Sequence, residues 1–383
     1  MTNHLNNRAA SSHLVTWVLA LLCNLTSTLT NAQERILIEG IFDTELHNTD
    51  AHSRLLSRND GDFSILGRLQ LWSAMQVSPG VQIYGLVEIE TDDSSGKRDT
   101  EAELEQFALR YTSRSSPYFF LEAGKILSPL GAYSIRHLST QNPLIGQPYI
   151  YTTSYPLGVQ AAGSSGWLDY RAALVDQPDI KPEFIPVDPD SDFRPALGFG
   201  VTPFPQLRFG FSYTKGPYLN DQLNAYLPSG TGWRDFDQRV IGFDFQYSRG
   251  YLEFNGQLVV SRYDVPFQSE DTDDTSYYLE LKYTWTPRFY GAMRYGNYNE
   301  TLINQTGDPS RDSQSIEFHD LEIGLGYRFS PDTLLKVAYR YDDWDNRAGW
   351  ENSVKNGHAL SLQLSHQFDP GSWSVKDHSA SSN

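Results

Sequence analysis

Charged side chains recur on one side of segments that alternate polar and apolar residues, and that placement is the sequence's main chemical resource. Arg68, Arg110, Arg171, Arg208, Lys282, Arg294, Arg328, Lys336 and Arg340 fall on the polar side of alternating segments. Glu88, Glu90, Glu122, Asp169, Asp244, Glu253, Glu280, Asp320, Glu322 and Asp342 share that side. Cations and anions are nearly balanced, which suits transverse pairing or a segregated field across a solvated space. It does not make the concentrated basic ladder that would strip water from phosphate. Hydrolytic chemistry has weaker candidates: His319 with Ser315 and Asp320, and His137 with Ser134. No nucleophile-elbow sequence accompanies them, so no catalytic residue is assigned. Asp188, Asp190 and Asp192 alternate, and Glu270, Asp271, Asp273 and Asp274 cluster, as calcium loops can. Phe193 stands where a calcium-binding hand needs glycine, so the pattern reads as solvated acidic loops, with divalent bridging to lipopolysaccharide as the minor reading. No cofactor-binding or metal-binding motif remains.

These side chains need elements to carry them, and the first residues are not among those elements. Leu14 to Cys23 form a short apolar core, preceded by a polar stretch whose one formal charge is Arg8 and followed by Thr30-Asn31-Ala32. That is the layout of a secretory signal peptide over 1–32, cleaved before Gln33. A spanning helix would need about 20 apolar residues, and Asn24, Thr26 and Ser27 interrupt this core. Lipid attachment at Cys23 is disfavoured by Leu21 and Leu22, where a small residue is required. Cys23 is the single cysteine and leaves with the signal, so the exported chain has no disulfide or thiolate chemistry.

The whole chain of 383 residues has 30 Lys+Arg against 47 Asp+Glu, and this acidic balance excludes nucleic acid as an obvious partner. With 23 Tyr, 20 Phe and 29 Gly but only 3 Met, the composition favours strands over helices. Period-two alternation confirms that preference. Tyr277, Leu279, Leu281, Tyr283 and Trp285 take one face while Tyr278, Glu280, Lys282 and Thr284 take the other. Leu207, Phe209, Phe211 and Tyr213 repeat the pattern, as do Leu252, Phe254, Gly256, Leu258 and Val260.

Connectors sort into two lengths. Short ones are Ser78-Pro79-Gly80, Ser164-Ser165-Gly166, Ser248-Arg249-Gly250, Thr286-Pro287 and Ser330-Pro331-Asp332. Long polar ones cover 47–61, 92–100, 127–155, 177–193, 216–235, 264–275, 299–316 and 343–357. The alternation predicts an all-β, antiparallel transmembrane β-barrel over 33–368, with short turns in the periplasm and long loops outside. Counting between connectors gives about sixteen strands, from near Arg35 to His358–Phe368. The irregular stretch 101–126 leaves fourteen or eighteen open. Residues 369–383 form a polar periplasmic tail that reads as disordered. The last strand sets Leu360, Leu362, Leu364, His366 and Phe368 on one face. It is similar to the terminal segment by which outer-membrane barrels are recognised for assembly, although a tail follows here.

A sixteen-stranded barrel is too wide for side chains to fill, so a water-filled lumen is the default. The longest connector, 127–155, follows the fifth strand and is expected to fold inward as the third external loop. Just before it, Gly124-Lys125-Ile126-Leu127-Ser128-Pro129-Leu130-Gly131 resembles the Gly-Lys...Pro-Phe-Gly element of the phosphate-selective porin O and P family. The resemblance implies a trimeric passive channel for small hydrophilic solutes or ions in the outer membrane, with anion preference set by luminal basic residues. The loop contains no acid. Lys125, Arg136, His137, Tyr149 and Tyr151 are its candidate constriction residues, with Tyr133 and Tyr155 beside them. Either Arg136 and Lys125 favour anions locally, or the aromatics pack the loop and Arg136 pairs with Glu88 or Glu90. The rival functional classes are a non-conducting adhesin or receptor and a barrel enzyme. A TonB-linked transporter is excluded, because it needs a plug and about 22 strands.

Overall fold

The structure is a computed structural model that describes residues 35–51, 53, 56–93, 99–113, 118–132, 136–150, 154–176, 192–219, 221–302, 314–344, 356–369 and 373–374. The expected signal peptide, most of the polar tail, Tyr133, Ser134, Tyr151, Asp188 and Asp190 lie outside them. Sixteen long strands account for most of the rest. They are β1 (Arg35–Thr49), β2 (Ser64–Ser78), β3 (Val81–Asp92), β4 (Asp99–Thr112), β5 (Phe119–Lys125), β6 (Leu157–Ser165), β7 (Leu168–Val175) and β8 (Arg194–Phe204). The second half comprises β9 (Leu207–Pro217), β10 (Asp237–Arg249), β11 (Leu252–Tyr263), β12 (Thr272–Thr286), β13 (Phe289–Leu302), β14 (Gln314–Ser330), β15 (Thr333–Trp344) and β16 (Gly357–Phe368).

Each strand pairs antiparallel with its sequence neighbour, and β1 closes the ring on β16 through Gly40–Thr49 and Ala359–Phe368. Closure leaves no open ladder edge in lipid, where an unpaired backbone group would go unsatisfied. A two-residue piece, β17 (Trp373–Ser374), pairs with Arg35 and Ile36, so the tail returns to the wall at that point.

The stretch 101–126 resolves the strand count at sixteen. It forms β4 and β5, and its irregularity is a register shift where Leu86 and Val87 meet Gln106 and Leu104. One extra residue there breaks the period-two pattern without removing the strand. At Gly124 the backbone has φ 135, and a Cβ would come 2.3 Å from the Phe107 carbonyl. The glycine of the Gly-Lys element is therefore required by backbone approach.

Outward residues are apolar and exposed along every part of the wall, among them Phe209, Leu279, Leu325 and Leu360. Rings cluster towards the short-turn end, where Trp285 stacks on Phe289 at 5.1 Å and Tyr327 meets Phe329 edge-on at 5.0 Å. Such a girdle suits the membrane interface. Inside, one apolar cluster lines the wall, and a second, around Tyr218, Trp233 and Tyr263, packs the connection after β9. Val175, Ala196, Val240, Val259, Tyr278, Tyr298, Phe318 and Trp344 form a belt on the inner wall, and Ile126, Leu130 and Ile150 of the long loop pack against it.

Candidate functional site

The loop after β5 enters the barrel. Its base is tied where the Ile126 amide donates to the Pro156 carbonyl at 2.9 Å and the Ser128 amide to Ser154 at 3.0 Å. From there it crosses to the far wall. Gly131 donates to the Ser212 hydroxyl on β9 at 3.1 Å, and Arg136 reaches Glu280 on β12 at 2.6 Å. Residues 139–146 then dock against β12–β15. The Lys336 ammonium donates to the carbonyls of Ser139, Asn142 and Leu144 at 2.8, 3.1 and 2.8 Å. Glu322 accepts the amides of Ile145 and Gly146 at 3.1 and 2.8 Å. Arg294 donates to the Gly146 carbonyl at 2.7 Å and to the Asn142 side chain at 2.9 Å. The Tyr290 hydroxyl donates to the Pro143 carbonyl at 3.2 Å.

This docking works because a loop has no ladder to satisfy its own backbone, so the wall must supply donors and acceptors. The wall does so through a lateral row set by strand register. Glu280 stands opposite Arg294, Arg294 opposite Glu322, and Glu322 opposite Arg340. Charges alternate from strand to strand, and side chains directly opposite on one face attract. Arg294 is held by Glu280 at 2.6 Å and Glu322 at 3.5 Å, with both Arg294 and Glu280 fully shielded. Arg340 pairs with Asp320 at 2.9 Å and Asp342 at 3.2 Å, and its guanidinium lies 4.5 Å over the Tyr149 ring. Tyr149 also packs edge-on against Tyr298 and Phe318. The ring thus covers an ion cluster with an aromatic face.

Elsewhere on the wall the same pairing recurs. Arg68 contacts Glu45, Glu88 and Glu90 at 3.8, 3.7 and 2.7 Å. Arg110 pairs with Glu122, and Lys282 with Glu253 at 2.6 Å. Arg208 bridges Asp169 and Asp244 at 2.8 and 2.6 Å. Lys125 donates to the Leu104 carbonyl at 2.7 Å, and Arg328 to that of Pro331 at 3.1 Å. The mixed wall is arranged as short-range ion pairs, mostly between adjacent strands, with Arg208–Asp169 reaching across β8 and Arg340–Asp342 within β15.

The expected partner of Arg136 needs correcting. It meets Glu280 rather than Glu88 or Glu90, because those two acids are engaged by Arg68 on the neighbouring strand while the loop crosses to β12. His137 Nε2 lies 3.1 Å from the Tyr155 hydroxyl. Burial pushes the Tyr155 phenol above its ordinary range, so it stays neutral beside the imidazole. The hydrolytic candidates do not assemble. His319 Nδ1 is taken by Tyr295 and Asn297 at 3.2 and 3.1 Å, and the side chains of Ser315 and Ser134 are outside the described part. Asp192 pairs with Arg234, and Asp271 and Asp273 with Arg262, so these loop acids have basic partners. Among the described residues no acid or histidine cluster could hold a metal ion.

Glu45, Asn142, Gly146 and Tyr290 were not singled out by the sequence. Asp43-x-Glu45-x-His47 carries the period-two signal that would have placed Glu45 inside. Nothing local marks Gly146, whose role is space: a Cβ there would lie 2.6 Å from the Glu322 carboxylate and 2.8 Å from the Arg340 guanidinium. Gly146→Val should therefore lift residues 139–146 off the wall. Trypsin added to the folded barrel should then cut after Arg136 about tenfold faster than in the unaltered protein, as the open population grows. Equal protection would show that the loop tolerates the bulk.

The loop divides the lumen. On the long-loop side a cavity of about 310 Å³ lies between Gly146–Tyr149 and Glu45, His47, Arg58 and Arg340. On the short-turn side a larger chamber of about 900 Å³ opens below Leu127, Ser128 and Ala132.

Residues 180–347 match the Gram-negative porin family. No curated protein sequence matches the chain significantly. Among solved structures, an anion-selective porin from Comamonas acidovorans aligns with a TM-score of 0.58 at 12% identity, covering 88% of this chain and 100% of that one. OmpF of Salmonella typhi, in complex with daunomycin, aligns with a TM-score of 0.58 at 11% identity, covering 88% and 98%. The trimer form of OmpT from Vibrio cholerae, an outer membrane protein, aligns with a TM-score of 0.55 at 11% identity, covering 88% and 100%.

Proposed function

We propose that this chain, a Gram-negative porin in sequence over 180–347 and in fold throughout, lets small hydrophilic solutes and ions diffuse passively across the outer membrane. The observation that carries this reading is the lumen itself: a wide closed barrel with a charged inner wall, narrowed by one loop docked on β12–β15. No chemistry is needed. Solutes pass through water, limited in size where the loop crosses and biased by wall charges. The first 32 residues act as the export signal.

The expected anion preference does not follow from Arg136, which lies against Glu280. With Arg68, Arg110, Arg136, Arg208, Lys282, Arg294 and Arg340 each matched to an acid, selectivity is weak, and the phosphate-selective side of the motif resemblance gains no support. Arg136→Glu would set a second carboxylate beside Glu280, so the reversal potential across a salt gradient should move towards cations. An unchanged potential would remove Arg136 from the filter.

A homotrimer is part of this reading. Strands β5–β8 have only 7, 9, 8 and 11 residues, against 12 to 15 in β1–β3. A seven-residue strand tilted by about 40° rises roughly 18 Å, short of an apolar band about 25 Å tall. The outer face there is a groove of small and aliphatic residues, with Ala123, Ala161 and Ala172 among Leu121, Val159 and Leu197. A neighbouring copy would cover this low wall, while the taller strands face lipid and lipopolysaccharide. Refolded protein in a planar bilayer should give conductance steps in groups of three. A folded barrel without steps would overturn the channel and bring the receptor class forward.

A further inference from the structure

The chamber on the short-turn side contains a luminal cation that differs from the paired ones. Among the described residues, Arg171 makes no direct hydrogen bond or salt bridge, and Asp169 and Asp244 attract it only through space. It lines the cavity of about 900 Å³ together with Arg110 and Arg208. Arg208 takes the nearby acids: its guanidinium is bidentate to Asp169 at 2.9 and 2.8 Å and reaches Asp244 at 2.6 Å. Glycines on β8 and β9 permit that bridge. A Cβ at Gly200 would lie 2.2 Å from Arg208, and one at Gly210 would lie 2.1 Å from Asp244. Arg171 itself is flanked across the ladder by Ala162 and Gly198, neither of which carries a side chain that could bond it.

The other wall of this space is aromatic. The Arg110 guanidinium lies 4.9 Å from the Tyr84 ring and 4.7 Å from the Phe120 ring, while pairing with Glu122. Phe120 stands opposite Ala162, and Ala162 opposite Arg171. Two inter-strand steps separate ring from guanidinium, about 10 Å along the wall. Trp72 lines the same chamber. Glu122, Asp169 and Asp244 are each bonded to an arginine other than Arg171, and the remaining acid, Glu39, is on β1, six strands away around the wall.

From this juxtaposition we infer that the chamber is a subsite for small aromatic carboxylates, the carboxylate taken by the Arg171 fork and the ring lying against Phe120. A planar guanidinium presents two parallel N–H groups that match a carboxylate, and a flanking aromatic wall desolvates the body of such a solute. The inference rests on the channel reading, since it names a solute class that the lumen would favour.

The test uses 4-fluorobenzoate as probe, with fluorine NMR line broadening on the folded full chain in detergent micelles. Arg171→Gln should weaken binding at least about tenfold, the usual scale for losing one charged bidentate contact. Arg171→Lys, which keeps the charge but not the fork, should fall between, and it stands in if the glutamine variant does not fold. Phe120→Leu should weaken 4-fluorobenzoate while leaving fluoroacetate unchanged. Equal affinity in Arg171→Gln, or binding of 4-fluorobenzyl alcohol as tight as that of the acid, would overturn the subsite. Fluoroacetate binding as tightly as 4-fluorobenzoate would overturn the aromatic class. Potassium chloride conductance separates the two readings: a conducting barrel that ignores 4-fluorobenzoate refutes only the subsite, whereas a silent barrel refutes the channel and leaves the micelle titration to decide the subsite.

Discussion

Replacing Arg294 by methionine should lower the unfolding free energy of the barrel by about 3–5 kcal/mol, the range for removing one partner from a buried charge pair. Arg294 is completely shielded and stands between Glu280 and Glu322, and it also donates to Gly146 and Asn142 of the inward loop. Without it two buried carboxylates face each other across one strand, and the loop loses two bonds. The double substitution Glu280→Met, Arg294→Met should cost less than the single one, because it removes an acid with its counter-charge. Urea unfolding in lipid vesicles, followed by tryptophan fluorescence, measures both. If the double variant were the less stable, the row would be held by packing rather than by charge.

The fold was largely legible because its code is local. Alternation shows wherever one face meets lipid and the other meets water, as in Tyr277–Trp285, and turn chemistry marks one end of the barrel at Ser78-Pro79-Gly80 and Ser330-Pro331-Asp332. The same alternation separates inward charges from outward aliphatics, so luminal residues such as Glu280, Arg294 and Arg340 could be named before their contacts were known. Where a register shift inserts a residue, at Gln106 and Leu104, the period fails, and the sequence pattern there fits fourteen, sixteen or eighteen strands alike.

Pairing was not legible, since it depends on which strands become neighbours and where the loop lands. Arg136 is 144 residues from Glu280 in sequence, and only the closed ring with its crossing loop brings them together. Backbone partners are harder still. The loop docks mainly through carbonyls and amides at 139–146, which every residue type possesses, so sequence cannot mark them. Gly146 and Lys336 acquire their meaning only in the docked state. The resemblance at Gly124-Lys125 pointed to the right architecture and the right loop, yet Lys125 ends on a wall carbonyl.

Lys336→Met should loosen the constriction more than any single luminal change. Lys336 is 1% exposed, and its three ammonium donors are all spent on loop carbonyls, at Ser139, Asn142 and Leu144. Methionine has similar length and no donors, so it fills the space while leaving three buried acceptors unsatisfied. Each such group costs about 1–3 kcal/mol, and the loop can relieve that cost only by moving towards water in the lumen. The remaining clamps, Glu322 and Arg294, hold residues 142–146, so release should begin at Ser139 and spread towards Arg136. Single-channel records should then show flicker between two conductance levels, and trypsin should reach Arg136 in the folded barrel. A steady trace with unchanged protection would mean that the aromatic belt around Tyr149, rather than the ammonium, holds the loop against the wall.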